Sequence, residues 1–207
     1  MEKELIHVAD PMCSWCWGFS PVIDRIAELV RGRASVRVLP GDLRPGTKVA
    51  LSQHEVDFIM GEWRKIAAAT GQPFDFDQPL DTNFVYDTEP ACRAVSLIGR
   101  ERPACVLDYL RSLHQAFYVG RRDLKDPDVL ADYAQSFGVP RATFLERFSR
   151  PEAVECLRED VRLARQCGIE AVPSVLLRTD NRIQRLTIGY QPYEVLEPHV
   201  RQWLAAA

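Results

Sequence analysis

The sequence predicts an α/β protein in which a block of helices interrupts a sheet-forming chain. Three observations support this fold class. Residues 1–50 follow a strand–helix–strand pattern, residues 51–167 carry helical periodicity, and apolar β-type segments return after Gly168. A chain of 207 residues is long enough for one domain with one large insertion.

The opening segment predicts a β–α–β unit. Residues 5–9 form a short apolar run with β-branched side chains, which is typical of a buried strand. Apolar residues then recur at helical spacing up to about Val30, and Gly32 follows as a stop signal. Residues 35–39 alternate towards a second strand, and Pro40-Gly41 marks the turn beyond it.

The middle of the chain is predicted to be helical. Ser52 and Glu55 have the spacing of a capping box, and apolar positions at helical spacing follow up to Gly71. The same reasoning predicts further helices over residues 88–99, 106–117, 127–138, 140–148 and 151–167.

The last segment returns to β-structure. Residues 174–177 and 185–188 are apolar strands joined by turn residues at 179–181, which predicts an antiparallel hairpin. A final helix is expected over residues 193–204, kinked or divided at Pro198.

This order of elements is that of the thioredoxin fold carrying an all-helical insertion. We expect residues 1–50 and 168–207 to form a discontinuous thioredoxin-like domain. Residues 51–167 then form the helical insertion domain, and its last helix leads back to the thioredoxin-like domain.

Composition and charge exclude several function classes. With a net charge of −3, the chain has no excess of basic residues that would favour binding to nucleic acid or to an anionic membrane. No apolar run approaches the roughly 18 residues of a membrane span, and the N-terminus lacks the apolar stretch of a secretory signal. We therefore expect a cytoplasmic protein with no nucleic-acid or membrane partner.

Cys13 and Cys16 carry the strongest chemical signal. They lie where the first predicted strand meets a helix, and the unpaired N–H groups and dipole of a helix N-terminus favour a thiolate. A spacing of three residues puts both sulfurs on one helical face. The pattern predicts disulfide exchange in which Cys13 attacks and Cys16 resolves.

Two other interpretations of this pair compete with disulfide exchange. They are a zinc site and the chance placement of two buried cysteines. A structural zinc site needs four ligands. The sequence has no second CxxC, and its four histidines are scattered, so we expect no metal. The other cysteines, at 92, 105, 156 and 167, are expected to pack as small apolar residues. A redox role for Cys92 or Cys167 is left open.

Val172 and Pro173 precede the strand predicted at 174–177. In a thioredoxin-type site a cis proline lies against the CxxC motif, and the backbone of the preceding residue pairs with the substrate chain. We therefore predict a cis Val172–Pro173 bond, although few X–Pro bonds in folded proteins are cis.

A longer pattern surrounds the two cysteines, reading DPMCSWCWGF over residues 10–19. It resembles the active-site segment of the DsbA-like thioredoxin family, and more narrowly its cytoplasmic branch of protein-disulfide isomerases with the pattern D-P-x-C-x-W-C-x-G. The likeness continues at residues 63–74, 87–94 and 168–173 and covers essentially the whole chain.

The resemblance implies a thioredoxin fold with a helical insertion, Cys13 as nucleophile, Cys16 as resolver and Val172-Pro173 as the cis-proline loop. It implies protein or small-molecule disulfide and thiol substrates and a cellular reductant as partner. No resident cofactor is expected, and glutathione is a candidate co-substrate. Ser14-Trp15 supplies no charge to stabilise a thiolate, which favours a reductase or isomerase in a reducing cytosol.

Several side chains are candidates for supporting roles. Ser14 and Trp15, with Val172 and Pro173, are the candidate substrate contacts. His7 lies six residues before Cys13, where thioredoxin-like proteins often hold a buried acid, and is a candidate for proton transfer. A core histidine bonded to the backbone is the alternative that we favour. Of the aromatic residues that are candidates to line a groove, we expect only Trp15 to be exposed; the others are Trp17, Phe84, Tyr86 and Phe117.

Two further functions compete with a dithiol oxidoreductase. Kappa-class glutathione transferases and hydroxychromene-carboxylate isomerases resemble this fold but use a serine where this chain has Cys13. A resolving thiol at Cys16 argues against that chemistry, because it would convert bound glutathione into a disulfide. The second alternative is a catalytically inert binding module, and the retention of both cysteines and Pro173 argues against it.

Overall fold

The computed structural model describes residues 2–206, and within that range it contains four strands and eight α-helices. The strands are β1 (Lys3–Ala9), β2 (Ser35–Pro40), β3 (Ser174–Thr179) and β4 (Arg182–Ile188). The helices are α1 (Ser14–Val30), α2 (Gln53–Thr70), α3 (Glu89–Glu101), α4 (Val106–Tyr118), α5 (Pro127–Ser136), α6 (Arg141–Phe148), α7 (Pro151–Gln166) and α8 (Tyr193–Ala205).

The sheet has the strand order β2-β1-β3-β4, with β1 at its centre. β1 is parallel to β2 and antiparallel to β3, and β3 is antiparallel to β4. In this register Val8, near the end of β1, lies opposite Ser174, the first residue of β3. Because Cys13 follows β1 and Pro173 precedes β3, the sheet brings both residues to the same edge.

Helices cover both faces of the sheet. Side chains alternate along β1, so that Leu5 packs in the apolar layer with α1 and α8, whereas Ile6 packs in the layer with α7. Helix α3 packs against both β2 and α7. The sheet therefore has α1 and α8 on one face and α7 on the other, with α3 beside the edge strand β2.

The inserted helices form a lobe whose apolar core continues to the edge of the sheet. Trp63, Tyr109 and Phe144 are fully buried in that core. Cys13 and Cys16 belong to the same continuous apolar cluster. The lobe therefore packs directly on the segment that follows β1.

The predicted thioredoxin-like fold with a helical insertion is confirmed, and the predicted capping box at Ser52 and Glu55 is present at the start of α2. Two details differ from expectation. β4 begins at Arg182, three residues earlier than predicted, because the hairpin pairing extends to its turn. Helix α8 is not divided at Pro198 but runs from Tyr193 to Ala205, since proline removes only one backbone hydrogen bond.

The predicted domain division stays a prediction. Helices α2 to α7 fall within residues 53–166, inside the expected insertion. Met1 and Ala207, which the expected outer domain includes, lie outside the described residues.

One buried ion-pair network ties the insertion to the sheet. Asp160 on α7 is 3% exposed and lies 2.7 Å from Arg100 on α3 and 3.2 Å from Arg37 on β2. The hydroxyl of Ser96 donates to the same carboxylate at 2.8 Å. A buried carboxylate is stable only when it is paired in this way.

We expect Asp160→Ala to lower the free energy of unfolding by about 2–4 kcal/mol, because two half-exposed arginines and a buried hydroxyl lose their acceptor. Urea denaturation measures the change. The matched control is Glu155→Ala, which removes an exposed partner of Arg158 and Arg162 on the same helix and should change stability by less than about 1 kcal/mol. Equal losses in the two variants would contradict the assignment.

Candidate active site

Cys13 is the N-cap residue of α1, with extended backbone angles (φ −88°, ψ 116°). Its carbonyl accepts the first helical hydrogen bond, from the N–H of Trp17 at 3.1 Å. Its side chain is 7% exposed and makes no capping bond of its own. The sulfur therefore lies at the positive end of the helix dipole, where a negative charge is favoured.

Cys16 lies one turn further along α1 and is 1% exposed. Burial raises the pKa of the Cys16 thiol well above its usual range, and the adjacent Cys13 raises it further. The protein therefore keeps Cys16 protonated. Because thiolates are the attacking species in disulfide exchange, burial disfavours attack by Cys16.

The Val172–Pro173 peptide bond is cis, which confirms the prediction. The sulfur of Cys13 lies 3.8 Å from the carbonyl oxygen of Val172. The loop before β3 and the start of α1 are thus in contact across the edge of the sheet.

Gly41 allows this loop to approach. A Cβ atom added at position 41 would lie 2.4 Å from Cγ1 of Val172, closer than real Cβ contacts. The N–H of Gly41 donates to the carbonyl of Ala9 at 2.8 Å, which holds this backbone against the end of β1. Sequence reasoning identifies Gly41 only as a turn residue, because its contact with Val172 is long-range.

The carboxylate of Asp10 lies at the centre of the site and is fully buried. Oδ1 accepts the N–H of Met12 at 2.8 Å, and Oδ2 accepts the N–H of Leu43 at 2.8 Å. The thiol of Cys92 on α3 donates to Oδ2 at 3.3 Å. One side chain therefore joins the CxxC loop, the loop after β2 and the inserted helix α3.

Burial raises the pKa of Asp10, and hydrogen bonds from Leu43, Met12, Cys92 and Thr88 oppose that rise. A buried carboxylate without such donors would be much less stable. The sequence signal for this residue is its place in the D-P-x-C pattern, but that pattern does not reveal the donors.

The sequence segments that extend the family resemblance contact the active-site segment. In the first, the carbonyl of Pro73 accepts the indole N–H of Trp17 at 2.8 Å, and the Gln72 side chain donates to the Trp17 carbonyl at 2.9 Å. In the second, Thr88 and Cys92 lie against Asp10. Both segments therefore support the start of α1 from the insertion.

His114 on α4 bonds to the backbone of the segment that carries the CxxC motif. Its Nε2 lies 3.1 Å from the carbonyl oxygen of Asp10, to which it donates, and its Nδ1 lies 3.4 Å from the hydroxyl of Ser20. Burial lowers the pKa of His114 to about 3. The imidazole is therefore neutral near pH 7 and acts as a hydrogen-bonding group.

His7 has the contacts of a core histidine. It is 1% exposed, packs against the ring of Phe19 and places Nδ1 3.3 Å from the carbonyl oxygen of Ser174. Burial lowers the pKa of His7 to about 4. These contacts favour the structural interpretation over proton transfer.

The residues between the cysteines lie at the surface of the site. Ser14 and Trp15 are both half-buried, and the Trp15 ring packs against Tyr190 with centroids 5.6 Å apart. The expectation that Trp15 alone is exposed is wrong, because Trp15 is only half-buried and Phe84 is half-buried as well. Trp17, Tyr86 and Phe117 are buried in the insertion core; these three therefore serve packing.

Two of the remaining cysteines have other surroundings. Cys92 is engaged with Asp10, and burial raises its pKa well above the usual range. Cys167 packs beside the layer under α7. Across residues 2–206 no cluster of three or more potential metal ligands occurs, and no helix in that range is long and apolar enough to cross a membrane.

A family model described as the DSBA-like thioredoxin domain matches residues 4–201. The chain belongs to this family. The match spans both halves of the thioredoxin-like part and the whole insertion. The helical lobe of this DSBA-like protein is thus part of the family architecture.

Three solved structures, of two proteins, and one curated relative are similar to this DSBA-like chain. A protein of Nitrosomonas europaea, provisionally assigned as a protein disulfide isomerase, has a TM-score of 0.92 and 33% identity over 99% of this chain and 98% of its own. The cytosolic disulfide reductase DsbM of Pseudomonas aeruginosa has a TM-score of 0.79 and 26% identity over 98% of this chain and 100% of its own. DsbM has also been solved with GSH, at a TM-score of 0.73 and 24% identity over 98% of this chain and 96% of that one.

The curated relative is the ClpXP adapter protein SpxH of Bacillus subtilis (strain 168), 24% identical over 203 residues. The alignment covers 94% of this chain but 65% of the relative. The chain thus spans less than two thirds of the length of this relative.

We expect Gly41→Ala to lower the melting temperature of this DSBA-like protein, because the new methyl group would collide with Val172 and displace the cis-proline loop. Val172→Ala removes the colliding atom and keeps the backbone carbonyl. The double variant should therefore regain most of the stability lost in Gly41→Ala, as a double-mutant cycle by thermal denaturation would measure. Additive losses would show that the two positions are not coupled.

Asp42, the residue after Gly41, has a left-handed backbone (φ 48°) and a buried Oδ1 without a hydrogen-bond partner among the described residues. Burial raises the pKa of Asp42 to about 6, the carboxylates of Asp10 and Glu89 add to the rise, and Arg165 opposes it. The folded state therefore binds this proton more tightly than the unfolded state.

Ionisation of Asp42 consequently destabilises the fold as pH rises from about 4 to 6. Asp42→Asn removes that charge, and asparagine tolerates a positive φ. We therefore expect Asp42→Asn to raise the melting temperature, relative to the unaltered protein, by more at pH 7 than at about pH 4. A difference that does not change with pH, measured by thermal denaturation in matched buffers, would contradict the assigned pKa.

Proposed function

We propose that the protein is a thiol–disulfide oxidoreductase in which Cys13 attacks the substrate and Cys16 resolves the mixed disulfide. The observation that carries the proposal is the unequal environment of the two sulfurs. Cys13 lies at a helix N-terminus beside the Val172 carbonyl, whereas Cys16 is buried with a raised pKa. Membership in the DSBA-like family supports the same chemistry.

In the proposed reaction the Cys13 thiolate attacks one sulfur of a substrate disulfide. A Cys13–substrate disulfide forms, the substrate S–S bond breaks, and the second substrate sulfur leaves and takes up a proton. Cys16 then loses its proton and attacks the sulfur of Cys13, which releases the first substrate sulfur as a thiol. The substrate gains two electrons and the Cys13–Cys16 pair becomes a disulfide.

The proposed substrate contact is the backbone of Val172, with Ser14 and Trp15 at the rim of the site. The carbonyl of Val172 already lies 3.8 Å from the Cys13 sulfur, so a substrate strand on this backbone would place its own sulfur nearby. The half-buried rings of Trp15 and Tyr190 offer an apolar surface beside it.

Reduction or isomerisation in the cytoplasm is the proposed direction. Ser14 and Trp15 carry no charge that would strongly stabilise a Cys13 thiolate, and a weakly stabilised thiolate makes a pair less oxidising. The similar P. aeruginosa protein is described as a cytosolic disulfide reductase. Glutathione is the proposed recycling thiol, supported by the DsbM structure solved with GSH. Two glutathione thiols would reduce the Cys13–Cys16 disulfide and leave as glutathione disulfide.

Binding of a protein partner is a second candidate function. It is supported by the match to the ClpXP adapter SpxH, although the chain spans only 65% of that relative. This function would not require the cysteine pair, whereas the oxidoreductase and the glutathione-dependent transferase alternative each predict a defined state of Cys13.

The test is equilibration in glutathione buffers of graded potential, alkylation of free thiols, and mapping of each cysteine by mass spectrometry. We expect a reversible Cys13–Cys16 disulfide with the other cysteines unchanged. Cys16→Ser should accumulate a mixed disulfide at Cys13, and Cys13→Ser should lower disulfide reductase activity by at least about a hundredfold.

Cys105→Ser is the matched control, because Cys105 is half-buried in the turn before α4 and does not contact the site. It should leave both the redox equilibrium and the activity unchanged. A stable glutathione adduct at Cys13 with Cys16 free in the unaltered protein would overturn the dithiol mechanism and favour the transferase. No redox change at either cysteine would favour the binding module.

A further inference from the structure

A cavity of about 210 Å³ lies between the cis-proline loop, the segment after β2 and helix α7. Its buried lining is apolar and includes Val8, Ala164 and Ile169. The charged side chains that line it are Asp42, Arg165 and Glu170. The cavity is smaller than the roughly 300–1,000 Å³ pockets that hold drug-sized ligands. It therefore suits one polar end of a molecule.

The cavity adjoins the reactive cysteine through Val172. This residue lines the cavity, and its carbonyl oxygen lies 3.8 Å from the Cys13 sulfur. Gly41 lines the cavity as well, and its lack of a side chain lets Val172 pack against it. A substrate whose sulfur lies at Cys13 would therefore have the rest of its molecule beside the cavity.

The carboxylate of Asp42 lacks a charge partner. Among residues 2–206 its Oδ1 is buried without a hydrogen-bond partner, and the carboxylate forms no ion pair. The carboxylates of Asp10, Glu89 and Asp87 disfavour its negative charge, and Arg165 offsets only part of their effect. With a pKa raised to about 6, Asp42 is still mostly ionised at pH 7. A cationic group bound in the cavity would relieve this repulsion.

Arg165, in the last turn of α7, is exposed and forms no ion pair or side-chain hydrogen bond within the part of the chain that the structure describes. It acts on Asp42 through its charge but is not bonded to it. One cavity is thus lined by a carboxylate and a guanidinium that do not pair with each other. A ligand that carries both an ammonium and a carboxylate would bond to both. The exposed carboxylate of Glu170 further favours the ammonium.

We propose that this cavity binds the amino-acid end group of a small thiol or disulfide substrate. Asp42 accepts from the ammonium group, and Arg165 donates to the carboxylate. The proposal deepens the function proposed above and rests on it, since the substrate sulfur must lie at Cys13. Cystine and glutathione disulfide both carry such an end group, close to the sulfur in cystine and further from it in glutathione. Asp42 and Arg165 are thus specificity-determining residues.

Binding is tested without any redox step by S-methylcysteine and S-methylglutathione, which keep the end group and cannot exchange disulfides. A ligand that binds only the folded state raises the melting temperature. We expect at least one of the two to do so, and the one that does identifies the source of the end group. Asp42→Asn and Arg165→Gln should each require about fivefold to tenfold more ligand for the same rise, because each loses a bond to a charged group.

Asp180→Asn and Arg162→Gln are the matched controls. Asp180 shares a left-handed backbone (φ 49°) but lies in the turn between β3 and β4. Arg162 is another exposed arginine of α7 and pairs with Glu155. Neither side chain lines the cavity, and both variants should bind the two ligands as the unaltered protein does.

The contribution to the reaction is measured as the rate at which Cys13 forms a mixed disulfide in a Cys16→Ser background. With cystine or glutathione disulfide, Asp42→Asn and Arg165→Gln should each lower this rate by about fivefold to tenfold. With uncharged hydroxyethyl disulfide, both variants should react as the background protein does. Cystamine carries only the ammonium and should respond to Asp42→Asn alone.

The proposal is overturned if neither ligand raises the melting temperature, or if the rise is equal in all variants. It is also overturned if the mixed disulfide forms at a rate that ignores both residues, and the oxidoreductase would then still stand. A rise that depends on Asp42 and Arg165, with no reaction at Cys13, would instead refute the oxidoreductase and the substrate role while the binding site stands. The two failures are therefore distinguishable.

Discussion

The buried carboxylate of Asp10 is the constraint on which the site depends. It accepts N–H groups from Met12 and Leu43 and the thiol of Cys92, so one residue fixes three separate segments. A carboxylate can do this because its two oxygens accept several bonds in different directions. Burial raises the pKa of Asp10, and these donors together with Thr88 offset the penalty. The loop, the strand end and helix α3 must therefore assemble together.

The helical insertion forms part of the active site rather than a separate attachment. Its apolar core is continuous with Cys13 and Cys16, and it supplies two side chains that bond to the backbone just before the pair, His114 and Tyr86. Trp15, which packs against Tyr190, and the cis-proline loop, whose Val172 carbonyl lies beside the Cys13 sulfur, come instead from the thioredoxin-like part. The helical insertion therefore packs on the buried side of the cysteines, and the thioredoxin-like part forms the half-buried surface beside them.

Local patterns predicted most of the architecture. Each expected strand and helix is present, because apolar periodicity, the capping box at Ser52 and the stop at Gly71 act within a few residues. The CxxC pair and the cis bond at Pro173 were also predicted, the latter from the order of elements around it. Asp10, Gly41 and His114 were not assigned roles, because their partners are distant in the chain. Asp10 bonds to Cys92, 82 positions away, His114 bonds to Asp10, 104 positions away, and Gly41 contacts Val172.

The sequence by itself determined the fold class, the family and the two sulfurs, because these depend on short patterns of spacing and polarity. Only the tertiary structure decided which side chains surround those sulfurs. It buried Cys16 more completely than Cys13, bonded His7 to the backbone, and placed the buried carboxylate of Asp10 against Cys92. Burial and hydrogen bonding arise from residues far apart in the chain, and these set the pKa values and hence the chemistry.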